Sequence, residues 1–263
     1  MYRISPIVKN LLIINVLFFL ATYIFGTQFN YDLTRHLALY YPASEYFHPY
    51  QYITYMFMHG GMAHIFFNMY AVWMFGTAIE NVWGGKRFLF YYMFTGIGAA
   101  VLHTLVNYFV NSGISSDIIA FQNTPSPELF KQFVETHKDF FNQNVYDFIH
   151  QWSMSPSNTG YVATALENMQ RVYETTINIP TVGASGAVFG ILLAFGMMYP
   201  NTQLMLLFPP IPLKAKWLVI GYGAIELFLA FSQPGSNIAH FAHIGGMLFG
   251  YILIKYWIIQ SRQ

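Results

Sequence analysis

Six blocks of nearly uninterrupted apolar sequence leave this chain few folds to choose from. They run from about Leu11 to Phe25, Ile53 to Ala78, Phe88 to Val110, Gly183 to Tyr199, Trp217 to Phe231 and Ile238 to Ile259. A membrane-spanning helix needs about 20 apolar residues, with about 17–25 tolerated, and within lipid only a helix or a closed barrel satisfies its own backbone. The first, fourth and fifth blocks are at or below the low end of that range. Only 9% of the 263 residues are charged and 55% are hydrophobic, against about 25% charged in soluble domains. The expectation is an all-α, polytopic membrane protein with six spans, in which residues 1–263 form a single domain.

The first block follows Arg3 and Lys9, as a signal peptide would, but it lacks a small-x-small cleavage site and is slightly long for such a core. It reads as an uncleaved span. Orientation follows from Lys and Arg in the short connections. With the N-terminus inside, the cytoplasmic segments hold Arg3, Lys9, Lys86, Arg87, Lys214, Lys216, Lys255 and Arg262, whereas the short outer segments hold only Arg35. Both termini are therefore expected in the cytoplasm, with blocks two, four and six beginning near the outer face. Pro209-Pro210-Ile211-Pro212 forbids continuous helix and marks the turn before block five. Tyr40, Tyr41, Tyr46, Phe47 and Pro49-Tyr50-Gln51-Tyr52 fit an aromatic belt at the membrane interface.

Residues 111–180 form a different kind of sequence, a long extracytoplasmic insertion between spans three and four. Asp117, Glu128, Glu135, Asp139, Asp147, Glu167 and Glu174 outnumber Lys131, Lys138 and Arg171, so the segment is acidic. Leu129, Phe133, Phe140, Phe141, Phe148 and Trp152 recur at mixed three- and four-residue steps, the mark of amphipathic helix. That apolar face is expected against the membrane surface or the helix bundle. The whole chain carries a net charge of +1, which argues against a nucleic-acid footprint. Cysteine is absent, which excludes disulfides, thiolate metal sites and a cysteine nucleophile.

Several polar residues stand inside the blocks. The second holds His59-Gly60-Gly61-Met62-Ala63-His64-Ile65-Phe66-Phe67-Asn68, where His64 and Asn68, four apart, share a helix face. The fourth opens on Val182-Gly183-Ala184-Ser185-Gly186-Ala187, and the sixth on Ile238-Ala239-His240-Phe241-Ala242-His243. Polar groups within a span are costly and face the protein interior or a water-filled cavity. Any one of them alone reads as structural glue between helices. His64, Asn68, Ser185 and His243 together, at matched outer depth on three helices, read as a site. Glu80, ahead of Gly84-Gly85-Lys86-Arg87, is expected to tie down the cytoplasmic end of the second helix, and Glu226, inside block five, to make a buried hydrogen bond.

The set His59-x4-His64-x3-Asn68, Gly183-Ala184-Ser185-Gly186 and His243-Ile244-Gly245-Gly246-x3-Gly250 resembles the rhomboid family of intramembrane serine proteases. Order, spacing and helix placement all agree, and the resemblance covers the chain except for residues 111–180. It implies a six-helix bundle of the bacterial inner-membrane form, with a water-filled cavity open to the outer side. It further implies an endopeptidase that acts on transmembrane protein substrates in the lipid bilayer, with no cofactor and no metal.

Carried over residue by residue, the resemblance makes Ser185 the nucleophile and His243 the general base, a dyad, since no carboxylate lies near His243 in the sequence. A Tyr packs on the base in some relatives, and Phe189 stands at that position here. His64, Asn68 and the backbone N–H of Ser185 are the implied oxyanion donors, with His59, Gly183 and His240 in support. His240 and His243 lie on nearly one helix face, and Gly246 and Gly250, on the face of His243, are expected to let that helix approach the serine helix. Two other classes fit the residues less well. A metal-dependent enzyme or transporter using His59, His64, His240 and His243 lacks the nearby carboxylates or cysteines that complete such sites. A non-catalytic relative would have lost the serine or the histidine, and both are present. Nothing in the sequence specifies an oligomeric state.

Overall fold

The computed structural model describes residues 4–205, 211–232 and 240–260. Arg3, Arg262, Pro209, Pro210, Ile238 and Ala239, which figure in the expectations above, lie outside them. The chain divides into two compact units, one of Met1–Tyr40, Tyr46–Thr104 and Pro180–Gln263, the other of Tyr41–Glu45 and Leu105–Ile179.

In the first unit, α1 (Pro6–Phe29) is followed by two short turns of helix, α2 (Thr34–Leu37) and α3 (Gln51–Thr54). Next come α4 (Met62–Ala71) and α5 (Thr77–Trp83), joined without a break by a π turn at Val72–Gly76. α6 (Gly85–Asn123) starts here. Among the described residues five helices are long and apolar enough to cross a membrane: Pro6–Phe29, Met62–Trp83, Gly85–Asn123, Ala215–Ser232 and His240–Gln260. The apolar helix Ser185–Met198 has 14 residues, about 21 Å at 1.5 Å per residue, short of the roughly 30 Å hydrocarbon layer. The expected spans thus all form as helices, the fourth as a short one. Outward positions such as Leu17, Phe66, Val101, Ile220 and Phe228 are exposed, and so broad an apolar surface suits lipid.

The second block begins later than its hydropathy suggests, because Ile53–Phe57 fold into separate short turns before α4. The π turn inside that span has a consequence for its two functional ends. Asn68 and Glu80, twelve positions apart, would sit about 120° apart on a straight α-helix. The extra residue of a π turn removes about 100° of that offset, and both side chains are buried. Glu80 accepts hydrogen bonds from Ser5 Oγ at 2.5 Å and from the backbone N–H groups of Ile7 and Val8 at 3.0 and 2.9 Å. It therefore caps the start of α1, where backbone donors lack intrahelical partners, and the expected tie runs between two helices. In the aromatic belt, buried Gln51 accepts from the N–H groups of Tyr40 and His48 and donates to the carbonyls of His36 and Tyr46. That uses the full capacity of its amide.

The second unit contains the C-terminal part of α6, then α7 (Pro127–Thr136), α8 (Asn144–Met154) and α9 (Thr159–Ile177). α6 outruns the expected end at Val110 because Ile114 and Phe121 keep a helical apolar stripe going, and both are buried. Ser126 Oγ caps α7 through the Leu129 N–H at 3.2 Å, ahead of Pro127 in the first turn. Phe121, Phe130, Phe133, Trp152, Met169 and Val172 close a core of their own. The apolar face expected on the membrane or the bundle packs instead within the unit, apart from Phe140, which is exposed.

The chain returns to the first unit with α10 (Ser185–Met198), a two-stranded antiparallel ribbon of β1 (Gln203–Met205) and β2 (Pro212–Lys214), α11 (Ala215–Ser232) and α12 (His240–Gln260). Tyr55, Met56, Val72, Ile79, Phe88, Tyr91 and Ile191 are fully or almost fully buried at the centre of this unit.

Candidate active site

Ser185 is the first residue of α10, so its backbone N–H is one of the donors a helix leaves without an internal partner. The chain reaching it is anchored twice. Thr181 pairs with Leu39 through both backbone bonds at 2.9 Å, and the Gly183 N–H donates to the Tyr55 carbonyl at 2.9 Å. Gly183 has φ +129°, a conformation L side chains rarely adopt. A Cβ there would lie 2.8 Å from Cε1 and Nε2 of His64. Glycine is thus required twice over, by the backbone and by the imidazole beside it.

His243, on the first turn of α12, puts Nε2 2.8 Å from Ser185 Oγ. The Phe189 ring, one turn along α10, stacks on the imidazole at 4.3 Å between centroids and 9° between planes. The two helices meet backbone to backbone: a Cβ on Gly246 would overlap the Gly186 carbonyl. Gly250 departs from expectation. It faces the Tyr91 hydroxyl of α6, which itself donates to the Gly190 carbonyl at 2.8 Å. The small residues of α12 therefore serve two neighbours, because successive turns of a helix drift around its axis.

α4 brings His64 and Asn68 to the same side. Asn68 is buried, and its Nδ2 has no hydrogen-bond partner among the described residues. The Gly60 N–H points at His64 Nδ1 at 3.4 Å. A ring nitrogen that accepts carries no proton, so the donor of His64 is Nε2, on the edge that faces Gly183. His59 is buried edge-on to His64, with ring centroids 5.1 Å apart, and neither of its nitrogens has a hydrogen-bond partner among the described residues. A groove of about 480 Å³, lined by Phe67, Asn68, Met74, Phe189, Leu192 and Tyr222, runs beside these residues between α4, α10 and α11.

One arrangement departs from the sequence-based expectation that no carboxylate stands near His243. Glu226, on α11, lies 17 positions away in the chain, yet its Oε2 is 3.0 Å from His243 Nδ1 and 2.6 Å from His240 Nδ1. The apolar run of α11 gives no local sign of it, since the contact is made across two helices. By atom type this trio, whose donor atoms lie within 4.8 Å of one another, is also a donor set for a divalent cation. A cation on His243 Nδ1 would leave the ring proton on Nε2, so metal occupancy and a proton-accepting Nε2 facing Ser185 exclude each other. His103 also went unnoticed in the sequence; its Nε2 lies 2.9 Å from Thr181 Oγ1, beside the segment that leads to Ser185.

The Rhomboid domain family model matches residues 46–123 and 148–260. The chain belongs to the rhomboid family. Over 66 residues it is 35% identical to Rhomboid protease GluP of Bacillus subtilis (strain 168), a stretch covering 25% of this chain and 13% of that protein. The chain thus matches only a small part of that relative's length. The rhomboid match contains all the motif residues on α4, α10 and α12 and omits residues 124–147. An integral membrane protein of polytopic helical architecture follows from the family and the apolar helices together.

Proposed function

We propose that the protein is an intramembrane serine endopeptidase that cleaves peptide bonds in or next to transmembrane segments of other membrane proteins. The observation that carries this reading is the 2.8 Å contact between Ser185 Oγ and His243 Nε2, made inside a rhomboid helical bundle. A serine hydroxyl is a weak nucleophile until an adjacent base takes its proton. Here Oγ attacks the scissile carbonyl carbon as its proton passes to His243 Nε2. The tetrahedral oxyanion is met by Asn68 Nδ2, His64 Nε2 and the Ser185 backbone N–H, donors of the kind that supply about 2.7–4 kcal/mol apiece. His243 then protonates the leaving amine nitrogen and the C–N bond breaks, leaving an acyl ester on Ser185. Water, deprotonated by the same imidazole, hydrolyses that ester and returns the proton to Oγ. The groove beside Phe189 suits the apolar side chains of a substrate span. No cofactor or metal takes part.

Both termini face the cytoplasm in this reading, which rests on the Lys and Arg distribution. The Bacillus relative supports a bacterial plasma membrane. Purified protein in liposomes is expected to cleave a model single-span substrate, insensitively to chelators. Ser185→Ala should lower the rate by about 10⁴-fold or more, and a serine-directed inhibitor should label the peptide that contains Ser185. Full activity in Ser185→Ala would sink the assignment.

A further inference from the structure

We infer that Glu226 is a third member of the hydrolytic site, a positioning carboxylate that sets the tautomer and in-plane direction of His243, with His240 holding the carboxylate in place. The inference rests on the protease reading above. An ionised carboxylate only accepts hydrogen bonds, and Glu226 Oε2 lies 3.0 Å from His243 Nδ1, at ion-pair distance though not aligned as a hydrogen bond. A negative charge that close favours the neutral tautomer with its proton on Nδ1. Nε2 then carries the lone pair, and Nε2 is the atom that faces Ser185 Oγ. The other tautomer would set a lone pair against the carboxylate and an N–H against the hydroxyl. When the ring takes the serine proton, the resulting imidazolium has its counter-charge already beside it, and Glu226 stays ionised throughout.

Two further observations favour this over a purely structural role. The Phe189 stack fixes the plane of the imidazole but leaves free the rotation within that plane, which decides which edge meets Ser185; the carboxylate 3.0 Å from Nδ1 draws that edge towards itself by charge. A carboxylate in a membrane helix is also expensive unless paired. Glu226 meets that cost at the reacting end of α12, where His240, His243 and Glu226 are 4%, 12% and 12% exposed. His240 Nε2 has no hydrogen-bond partner among the described residues, so that side chain acts here through the Nδ1 contact with Glu226.

The test compares wild type, Ser185→Ala, Glu226→Gln, Glu226→Asp and His240→Ala as full chains in liposomes, with rates normalised to folded protein by thermal melting. Glu226→Gln is expected to lower kcat about 10²-fold with KM within about threefold, less than the loss of about 10⁴-fold on neutralising a triad aspartate, because the stack on Phe189 remains. Glu226→Asp should recover at least about tenfold of that loss, and His240→Ala should fall between Glu226→Gln and wild type. Wild-type kcat in Glu226→Gln, equal losses in the Gln and Asp variants, or a loss that tracks the folded fraction would overturn the inference while the protease reading stands. So would chelator-sensitive wild-type activity, which would make the trio a metal site. A wild type without Ser185-dependent cleavage would overturn both.

Discussion

In the unit that carries Ser185, the buried side chains include Asn15, Gln51, His59, Asn68, Glu80, Thr95 and His240, whereas in the unit of Tyr41–Glu45 and Leu105–Ile179 the buried side chains are mostly apolar, Phe121, Phe130, Phe133, Trp152, Met169 and Val172 among them, with Ser44 and Asn111 as buried polar residues. Both are helical and both are rich in aromatic residues. The first wires its helices together with directional bonds: Glu80 onto the start of α1, Tyr55 and Tyr91 onto the carbonyls of Gly96 and Gly190, Glu226 onto α12. The second is held mainly by ring packing, such as Phe130 edge-on to Phe148 at 5.7 Å, with few side-chain bonds between segments, such as Ser44 Oγ to Asn178 Oδ1. Packing tolerates substitution of one apolar group by another of like volume. A buried hydrogen bond does not tolerate loss of one partner, because the other is left unsatisfied. The difference teaches where chemistry can be built: positional accuracy comes from bonds with direction.

Three variants press on that contrast beyond those already described. Gly183→Ala should be the most damaging, lowering cleavage about 10³-fold, since it imposes backbone strain of about 1–3 kcal/mol and displaces His64 from the reacting edge. Near-wild-type turnover in that variant would mean that His64 is not held against Gly183. Asn68→Ala should cost about 10²-fold in kcat, less than loss of the nucleophile because two donors remain; an unchanged kcat would remove Asn68 from the oxyanion site. Trp152→Ala should leave the cleavage rate unchanged while destabilising its own unit by about 3–5 kcal/mol, read as faster proteolysis within residues 105–179. A fall in kcat comparable to that of Asn68→Ala would break the contrast between the two units.

Much of the candidate site was legible in the chain, because its parts sit on single helices near their starts. The four-residue step from His64 to Asn68 and the glycines around Ser185 and after His243 are local patterns. Glu226 was legible only as a misplaced charge, since its partners lie across a helix pair and no spacing rule connects α11 to α12. The extension of α6 past Val110 was hidden by falling hydropathy, although Ile114 and Phe121 carried the helical stripe onward. The π turn at Val72–Gly76 has no marker residue in the sequence, although it lets Asn68 and Glu80 both be buried. Phe189, one turn after Ser185, lies against the His243 ring, a contact between two helices that its own spacing does not specify.

The contact of Gly186 with Gly246 is made by main-chain atoms, one residue after Ser185 and three after His243. Side-chain contacts soften gradually on warming as rotamers begin to exchange, but two backbones in contact have no rotamers to exchange. The spacing of Ser185 and His243 is therefore as stiff as the helices themselves. Heating should cause abrupt failure when α10 and α12 part, with little prior drift in turnover beyond the ordinary temperature dependence of the chemistry.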